Sequence, residues 1–283
     1  MNANDGNPIP VVVAGALGRM GMEVIKAINS SSDCELVGAV ETVSCNEGHD
    51  VGLEIGLESL DVQLTSDFEG CLCSASQEAN KDISKGGVVL IDFTHPSVVY
   101  EHTRAAIAYG VHPVIGTTGL NSSQLEALSV FSSKASVGSA IIPNFSIGMV
   151  LLQQAAAAAA SFYEHAELTE LHHNLKVDAP SGTCIKTAEL IEELGKKFNQ
   201  NEVKEHESIS GCRGGLRSSG LHLHSIRLPG LVAHQEVMFG APGETYTLKH
   251  DTIDRTAYMP GVLLAIRKVR QLQGLVYGLE RIL

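Results

Sequence analysis

The sequence predicts an α/β protein: a Rossmann-type doubly wound parallel sheet, plus a second α+β domain with a mainly antiparallel or mixed open sheet. Three observations support this fold class. Short β-branched runs alternate with longer helical segments up to about residue 143, which is typical of a parallel sheet covered by helices. Strand-like runs joined by turn-sized segments follow in the second half. The 283 residues are also enough for two domains of about 150 residues each.

The first domain, residues 1–143, is predicted to bind a dinucleotide. Several of its strand-like runs are continuously apolar, as expected for strands that are buried on both faces. The predicted strands are Ile9–Ala14, Glu35–Val40, Val62–Thr65, Val88–Phe93, Val111–Ile115 and Val137–Ile142. The clearest predicted helices are Met20–Asn29, Ser97–Tyr109 and Ser122–Ser133.

The pattern changes after Pro143, and residues 144–259 are predicted to form a second, substrate-binding domain. Its predicted helices are Ser146–His165, which is rich in alanine, and Thr183–Phe198. Its predicted strands are Glu167–His173, Leu221–Leu228, Leu231–Phe239 and Glu244–His250. The remaining residues, 260–283, are predicted to form a helix that returns to the first domain.

Composition restricts the partners that this chain can have. Twenty Lys and Arg against 32 Asp and Glu give a net charge of −12, so neither nucleic acid nor an anionic membrane is expected as a partner. No apolar run reaches the ~18–20 residues needed to span a bilayer, and the first ten residues do not resemble a secretory signal. We expect a cytoplasmic protein, or a stromal one if the chain is a processed plastid protein, that acts on a small molecule.

A glycine motif follows the first predicted strand directly and begins a helix. The segment Gly15-Ala16-Leu17-Gly18-Arg19-Met20-Gly21 has the spacing GxxGxxG rather than the commoner GxGxxG, so alone it also fits an ordinary strand–turn–helix joint. Glu41, 20 residues after Gly21 and at the end of the second strand, strengthens the interpretation. An acid there binds the ribose hydroxyls of a dinucleotide whose pyrophosphate lies at the helix N-terminus.

The choice between NADH and NADPH stays open at the sequence level. Glu41 favours the free 2′-hydroxyl of NADH. Arg19 is the one guanidinium placed to reach the 2′-phosphate of NADPH, although a solvated residue at the start of a helix is an equally good interpretation of Arg19.

Three further strand ends are candidates for lining the same crevice, because ligands bind at the carboxyl ends of parallel strands. They are Asp92-Phe93-Thr94, Gly116-Thr117-Thr118-Gly119 and Ile142-Pro143-Asn144-Phe145. For the first two the alternative is a plain turn, and for the third it is a rigid hinge.

The densest group of polar residues is the run from His172 to Thr183, which follows a strand and begins a helix. Two imidazoles and the Lys176 ammonium precede Ser181-Gly182-Thr183, which places hydroxyls and free backbone N–H groups at the helix start. This combination suits a small polyanion, and either histidine could move a proton near neutral pH. A metal site that adds His222 and His224 lacks a recognisable ligand spacing, so no metal is predicted.

This run resembles the signature segment of the dihydrodipicolinate reductase (4-hydroxy-tetrahydrodipicolinate reductase) family of the lysine pathway. The matching residues are Glu170-x-His172-His173-x-x-Lys176-x-Asp178-Ala179-Pro180-Ser181-Gly182-Thr183. The glycine motif, Glu41 and the three strand-end motifs also occur in the order that the family shows. The resemblance therefore covers nearly the whole chain, although Thr42 stands where many members have a basic residue.

The resemblance implies NAD(P)H-dependent reduction of 4-hydroxy-tetrahydrodipicolinate, a dicarboxylate, to tetrahydrodipicolinate by a homotetramer that assembles through the second domain. His172 is implied as the proton donor or acceptor and Lys176 as a proton donor, while His173, Gly182 and Thr183 would hold the substrate carboxylates. The residues implied in binding NADH or NADPH are Gly15, Ala16, Leu17, Gly18, Arg19, Met20, Glu41, Gly116, Thr117, Thr118, Ile142, Pro143, Asn144 and Phe145.

Two alternatives from other functional classes remain at this stage. A non-catalytic NADH-sensing protein would bind the nucleotide without consuming it, but such a protein needs no carboxylate site beside proton donors. Another two-domain dehydrogenase of aspartate-derived metabolites is the second alternative. If it formed a thioester, Cys184, just inside a helix N-terminus, would be its only candidate nucleophile.

Overall fold

The computed structural model describes residues 7–42, 46–81, 86–200, 203 and 206–283. The chain divides into two compact units: unit 1 comprises Met1–Phe145 and Tyr258–Leu283, and unit 2 comprises Ser146–Ala257. None of the helices in the described ranges is long and apolar enough to cross a membrane.

Unit 1 is a seven-stranded parallel sheet with helices between the strands, which confirms the predicted Rossmann-type fold. The sheet order is β12-β6-β5-β4-β1-β2-β3. Its strands are β1 (Ile9–Ala14), β2 (Cys34–Val40), β3 (Leu64–Thr65), β4 (Val89–Asp92), β5 (His112–Ile115), β6 (Ser139–Ile141) and β12 (Leu275–Tyr277). Its helices are α1 (Arg19–Asn29), α2 (Val51–Glu54), α3 (Phe68–Lys81), α4 (Val99–Ala108), α5 (Ser122–Ala135) and α8 (Met259–Val269).

The centre of the unit 1 sheet explains why its strands read as continuous apolar runs. Every residue of β1 and β4 is buried, and β1 pairs in parallel with β2 on one side and β4 on the other. The strand order reverses between β1 and β4, which is the position where doubly wound sheets bind their ligands. The carboxyl ends of these two strands therefore mark the candidate nucleotide site.

The C-terminal segment corrects one prediction. A single helix over residues 260–283 is wrong in extent, because α8 ends at Val269 and Leu275–Tyr277 forms the edge strand β12, which pairs in parallel with β6. Gly274 and Gly278 have φ angles of +81° and +94°. These left-handed conformations do not occur inside an α-helix, so they end the helical stretch and flank the strand.

Unit 2 contains a five-stranded sheet covered on one face by two helices. The helices are α6 (Ile147–Ala160) and α7 (Gly182–Glu192). The strands are β7 (His165–His172), β8 (Gly215–Leu216), β9 (His222–Arg227), β10 (Ala233–Ala241) and β11 (Glu244–Thr252), in the order β11-β10-β7-β9-β8. The β7–β9 pair is parallel and the other pairs are antiparallel, so the sheet is mixed, one of the two predicted forms.

The two faces of the unit 2 sheet differ because side chains alternate along each strand. One face packs on α6 and α7, whose alanines allow close approach to the sheet. The core residues include Ala156, Ala160, Leu168, Ala188, Ile191, Leu223, Val237 and Phe239. The other face, which we call the open face, borders a cavity of about 780 Å³ whose lining includes Glu167, Thr169, His224, Glu236 and Met238.

Candidate functional site

The glycine loop of unit 1 is pressed tightly against its neighbours. Gly15 has a φ angle of +77°, and a Cβ atom there would lie 2.6 Å from the Phe93 carbonyl oxygen. A Cβ atom at Gly21 would lie only 2.0 Å from the Gly15 carbonyl oxygen. Both positions therefore require glycine, and the requirement brings the first turn of α1 close to the end of β1.

The same loop leaves the backbone N–H groups at the N-terminus of α1 available to bind a ligand. Its N-cap is Gly18, which supplies no side-chain cap, and the first N–H groups of a helix have no acceptors within the helix. Glu41 lies beside the loop, where its Oε2 accepts a hydrogen bond of 3.0 Å from the Leu17 N–H. Arg19 is exposed. The structure thus brings the predicted segment from Gly15 to Met20 together with Glu41.

Asp92 connects two of the predicted strand-end motifs, 92–94 and 116–119, through hydrogen bonds. This fully buried carboxylate accepts hydrogen bonds from the Thr94 N–H at 2.9 Å, the Thr94 hydroxyl at 2.7 Å and the Thr117 hydroxyl at 2.8 Å. On its other oxygen lies His102 Nδ1 at 2.8 Å, and the His102 ring stacks on Phe68. The Thr117 hydroxyl is therefore used within the protein. Sequence reasoning missed His102, because nothing local marks one histidine in the middle of α4.

The remaining predicted cofactor residues divide by exposure. Thr118 and Pro143 are exposed, and Asn144 is partly buried. The Ile142 side chain is fully buried, and the Phe145 ring is buried against Phe93 with ring centroids 5.5 Å apart. Ile142 and Phe145 could therefore contact a cofactor only through backbone atoms, whereas the exposed residues could contact it through side chains.

The run from His172 to Thr183 starts at the end of the central strand β7 in unit 2. His172 is the last residue of β7, and His173 follows it in an exposed turn, closed by a hydrogen bond of 3.1 Å from the Lys176 N–H to the His173 carbonyl oxygen. The Lys176 ammonium forms an ion pair with Asp178, with Nζ–Oδ1 and Nζ–Oδ2 distances of 2.7 and 2.9 Å. This pairing was not predicted.

Glu170 lies fully buried beneath His172 and accepts a hydrogen bond from His172 Nδ1. The Arg227 guanidinium forms two hydrogen bonds to the same carboxylate, at 2.7 and 3.0 Å. Burial opposes the ionised form of Glu170, but hydrogen bonds from Arg227, Ser225 and His172 hold its pKa below the ordinary value. Sequence reasoning missed Arg227, because only the parallel register of β9 against β7 brings it to Glu170.

Burial favours the neutral form of His172. Burial lowers the pKa of His172 below its ordinary value of 6.5, and this effect outweighs the opposite effect of the hydrogen bond to Glu170. Nδ1 carries the proton, because a carboxylate cannot donate one. The Nε2 atom is left with a free electron pair, so His172 can accept a proton at that atom.

The start of α7 supplies backbone donors, as predicted from the sequence. Ser181 is the N-cap residue, and its hydroxyl accepts a hydrogen bond of 3.2 Å from the Cys184 N–H. Gly182 and Thr183 are the first helical residues, so their N–H groups have no acceptors within the helix. Gly182 is exposed. The helix start can therefore receive a carboxylate.

Cys184 does not fit the role of a nucleophile. The residue is fully buried, and burial, together with the negative charge of Glu170, raises the pKa of its thiol to about 12. A thiol with so high a pKa has almost no thiolate near neutral pH. Burial and the raised pKa therefore both argue against the thioester-forming alternative.

The histidines considered for a metal site do not converge. His222 Nδ1 lies 2.6 Å from the Arg213 carbonyl oxygen, and His224 Nε2 lies 2.8 Å from Glu167 on the open face. His172 instead bonds to Glu170, whose side chain is on the other face of β7. In the parts of the chain that the structure describes, no group of three His, Cys, Asp or Glu residues could hold a metal ion.

Comparisons with known proteins match both halves of the chain. Residues 9–145 match the family model "Dihydrodipicolinate reductase, N-terminus", and residues 148–283 match "Dihydrodipicolinate reductase, C-terminus". The 4-hydroxy-tetrahydrodipicolinate reductase of Synechococcus sp. (strain CC9605) is 75% identical over 276 residues, which is 98% of this chain and 99% of the relative. That of Prochlorococcus marinus (strain MIT 9313) is 74% identical over 275 residues, or 97% of each chain.

Two solved structures are also similar. The dipicolinate-bound dihydrodipicolinate reductase from Paenisporosarcina sp. TG-14 has a TM-score of 0.84 and 35% identity, covering 98% of this chain and 100% of that one. The amine dehydrogenase from Mycobacterium smegmatis has a TM-score of 0.65 at 15% identity, covering 97% and 96%. The second likeness concerns the fold alone.

Proposed function

Because the chain belongs to the dihydrodipicolinate reductase family, as the sequence resemblance predicted, we propose that it catalyses NAD(P)H-dependent reduction of 4-hydroxy-tetrahydrodipicolinate to tetrahydrodipicolinate. This reaction belongs to the diaminopimelate route of lysine biosynthesis. The observation that carries the proposal is the arrangement of His172, Lys176 and the start of α7 in unit 2. It combines groups that move protons with donors for carboxylates, and a pure nucleotide sensor needs neither.

The substrate is held by charge and by hydrogen-bond donors. Its two carboxylates bind at the N–H groups of Gly182 and Thr183, at the Thr183 hydroxyl and at His173. A helix N-terminus favours anions through its free N–H groups and its dipole. This local group of donors offsets the net charge of −12, which would otherwise repel a dianion.

His172 and Lys176 handle the protons of the reaction. Overall, the reaction takes up one hydride and one proton and releases water. The Lys176 ammonium donates a proton, because it carries three N–H donors and no acceptor. The neutral His172 accepts or relays a proton at Nε2, the atom not engaged by Glu170. Together the two residues hold the substrate between a donor and an acceptor.

Unit 1 fits a nicotinamide dinucleotide on two observations: the uncapped N-terminus of α1 behind the glycine loop, and the Glu41 carboxylate beside it. When bound, the cofactor supplies the hydride. The loop from Gly15 to Met20 receives the pyrophosphate, and Glu41 receives ribose hydroxyls. The rest of the site consists of Gly116, Thr117, Thr118, Ile142, Pro143, Asn144 and Phe145, of which Thr117 acts by shaping the loop.

We propose that the enzyme can use either NADH or NADPH, and that the two nucleotides make different contacts. Glu41 accepts hydrogen bonds from the free 2′-hydroxyl of NADH, whereas Arg19 is the exposed cation available to the 2′-phosphate of NADPH. Thr42, where many relatives have a basic residue, supplies no charge. The preference for NADH is therefore expected to be stronger than in relatives with a basic residue at this position.

The active form that we propose is a homotetramer that associates through the open face of the unit 2 sheet. Ile226 and Met238 on that face are 37% and 45% exposed, and burying apolar side chains of this kind favours association. Sedimentation velocity is expected to give a species of four chains. The bacterial sources of the relatives support a cytoplasmic location.

Steady-state oxidation of NADH and of NADPH, each with freshly generated 4-hydroxy-tetrahydrodipicolinate, tests the function. We expect nucleotide consumption that depends on the substrate. Nucleotide binding without consumption would instead identify a sensor and would refute the enzyme assignment. A matched control is the same assay without substrate, in which the absorbance at the nicotinamide band should stay constant.

A further inference from the structure

We propose that Glu170 and Arg227 are positioning residues that fix the orientation and the tautomer of the His172 imidazole. The inference rests on the proposed function, in which His172 accepts or relays a proton at Nε2. Neither residue contacts the substrate in this scheme. They act through His172, which bonds to Glu170, which in turn is held by Arg227.

Hydrogen bonds to both of its oxygens fix the orientation of the Glu170 carboxylate. Both of its carboxylate oxygens accept hydrogen bonds: Oε1 from Arg227 Nη2 at 2.7 Å and from the Ser181 N–H at 3.3 Å, and Oε2 from Arg227 Nη1 at 3.0 Å and from His172 Nδ1. A carboxylate held from two sides cannot rotate to follow the imidazole. The imidazole must instead align with the carboxylate, with its proton on Nδ1.

Arg227 connects two parts of the proposed substrate site. Besides Glu170 on β7, its Nη2 donates to the Asp178 carbonyl oxygen at 2.8 Å, in the turn that contains the partner of Lys176. The neighbouring Leu228 N–H donates to the His172 carbonyl oxygen at 3.1 Å. One guanidinium therefore fixes the distance between the end of β7 and the turn that leads to α7.

Stability alone does not account for this buried ion pair. Replacing a buried ion pair with apolar side chains is often neutral or even stabilising. Arg227 Nε is also buried without a hydrogen-bond partner among the described residues, which costs free energy. A role in holding His172 explains why a pair with these costs lies directly beneath a histidine.

The charges that face His172 act in opposite directions. They are Glu170 on the same strand, Arg227 on β9 and Lys176 in the following turn. The Glu170 carboxylate raises the pKa of His172, whereas the positive charges of Lys176 and Arg227 lower it. Removing Glu170 and removing Arg227 should therefore shift the titration of His172 in opposite directions. A positioning role adds two effects that proximity alone does not require: the proton of the neutral imidazole stays on Nδ1, and kcat falls when Glu170 is replaced.

Titration of selectively ¹³C,¹⁵N-labelled histidines by NMR tests the inference on the full-length protein, with the His172 signal assigned by its loss in His172→Asn. In Glu170→Gln the midpoint should fall by about one pH unit or more, and in Arg227→Gln it should rise. The neutral His172 of the unmodified protein should carry its proton on Nδ1. Arg227→Lys, which keeps the charge, should leave the midpoint close to that of the unmodified protein.

Glu167→Gln is the matched control, because Glu167 lies on the same strand and also pairs with an arginine and a histidine, but on the open face. This variant should leave the His172 midpoint unchanged, because Glu167 does not contact His172. In Glu170→Gln, kcat should fall about tenfold or more with little change in KM. A wild-type proton on Nε2, or an unshifted midpoint in Glu170→Gln, would overturn the inference even if Arg227→Gln failed to fold. Failure of the proposed function is separate: it would appear as no substrate-dependent consumption of NADH or NADPH by the unmodified protein.

Discussion

Two groups with the same three side-chain types lie on opposite faces of β7, and they differ mainly in exposure. We call them the inner triad (Glu170, Arg227 and His172) and the outer triad (Glu167, Arg213 and His224). In each, a glutamate of β7 accepts hydrogen bonds from an arginine and a histidine. The Glu170 side chain is 0% exposed, whereas the Glu167 side chain is 35% exposed.

The comparison teaches that burial, and not the types of side chain present, decides how firmly a glutamate holds its histidine. Water screens charges at the surface, so in the single chain the outer triad exchanges protein contacts for solvent contacts at little cost. In the interior no such exchange is possible, and the loss of one partner leaves a charge without compensation. A glutamate with these partners can therefore form an ordinary ion pair at the surface, or it can hold an imidazole in a fixed orientation when it is buried.

The largest expected effect separates the two arginines. Arg227→Met should lower the free energy of unfolding by about 3–5 kcal/mol, because it leaves the Glu170 carboxylate buried and unpaired. Arg213→Met should lower it by no more than about 1 kcal/mol in the dissociated chain, in which the outer triad faces solvent. Urea denaturation of the two variants measures both values. Equal losses would show that burial does not distinguish the triads.

The second comparison concerns turnover. His172→Ala and Lys176→Ala should each reduce kcat by about 10²-fold or more, because each removes a group that transfers a proton. Affinity for NADH should barely change, because both residues belong to unit 2. Unaltered turnover in both His172→Ala and Lys176→Ala would refute their assignment.

The pH dependence of stability gives a smaller effect with a definite sign. Because burial lowers the pKa of His172 below 6.5, the unfolded chain binds a proton on this residue more readily than the folded one. The contribution of His172 to stability is therefore complete above about pH 6.5 and is lost as the pH falls toward its folded pKa, at up to about 1.4 kcal/mol per pH unit. His172→Asn, which keeps a donor for Glu170, should remove this part of the slope.

Urea denaturation of the wild type and of His172→Asn, between pH 7.5 and 5, measures the two slopes. The stability of the wild type should fall more steeply than that of the variant below about pH 6.5. Parallel curves for the two proteins would contradict the lowered pKa of His172.

The smallest expected effect is that of salt on the outer triad. A double-mutant cycle on Glu167 and Arg213 should give a coupling of about 0.2–1 kcal/mol at low ionic strength. This coupling should approach zero in 1 M NaCl, where the Debye length is about 3 Å. The corresponding cycle on Glu170 and Arg227 should change little with salt. A coupling in the outer triad that persists in 1 M NaCl would mean that Glu167 is shielded from solvent, as association through the open face would do.

Local patterns predicted much of the fold and the site. The apolar runs of β1 and β4, the glycine motif and the N-cap at Ser181 are each encoded within a few neighbouring residues, so the sequence was sufficient for them. Strand β12 was missed, because three residues after a glycine are too few to show a period. A short strand of this kind forms only because β6 offers it a partner.

The supports of the site could not be predicted in the same way. Arg227 lies 57 residues from Glu170 in the sequence, and the two meet only through the register between β7 and β9. The bond from His102 to Asp92 similarly depends on how α4 packs on the parallel sheet. Such contacts depend on tertiary structure, and neither residue type nor local spacing marks them.

The ion pair between Lys176 and Asp178 has one consequence for ligand recognition. The ammonium already has an anionic partner in the protein itself, and the shorter of its two Nζ–O distances is 2.7 Å. In the proposed reaction Lys176 donates a proton to a substrate whose carboxylates bind elsewhere. Its ammonium must therefore leave the Asp178 carboxylate before it can reach the substrate. We expect this ion pair to break readily only for a ligand that both of its carboxylates already hold in place, so Asp178 should act against acetate-like metabolites that bind at a single point.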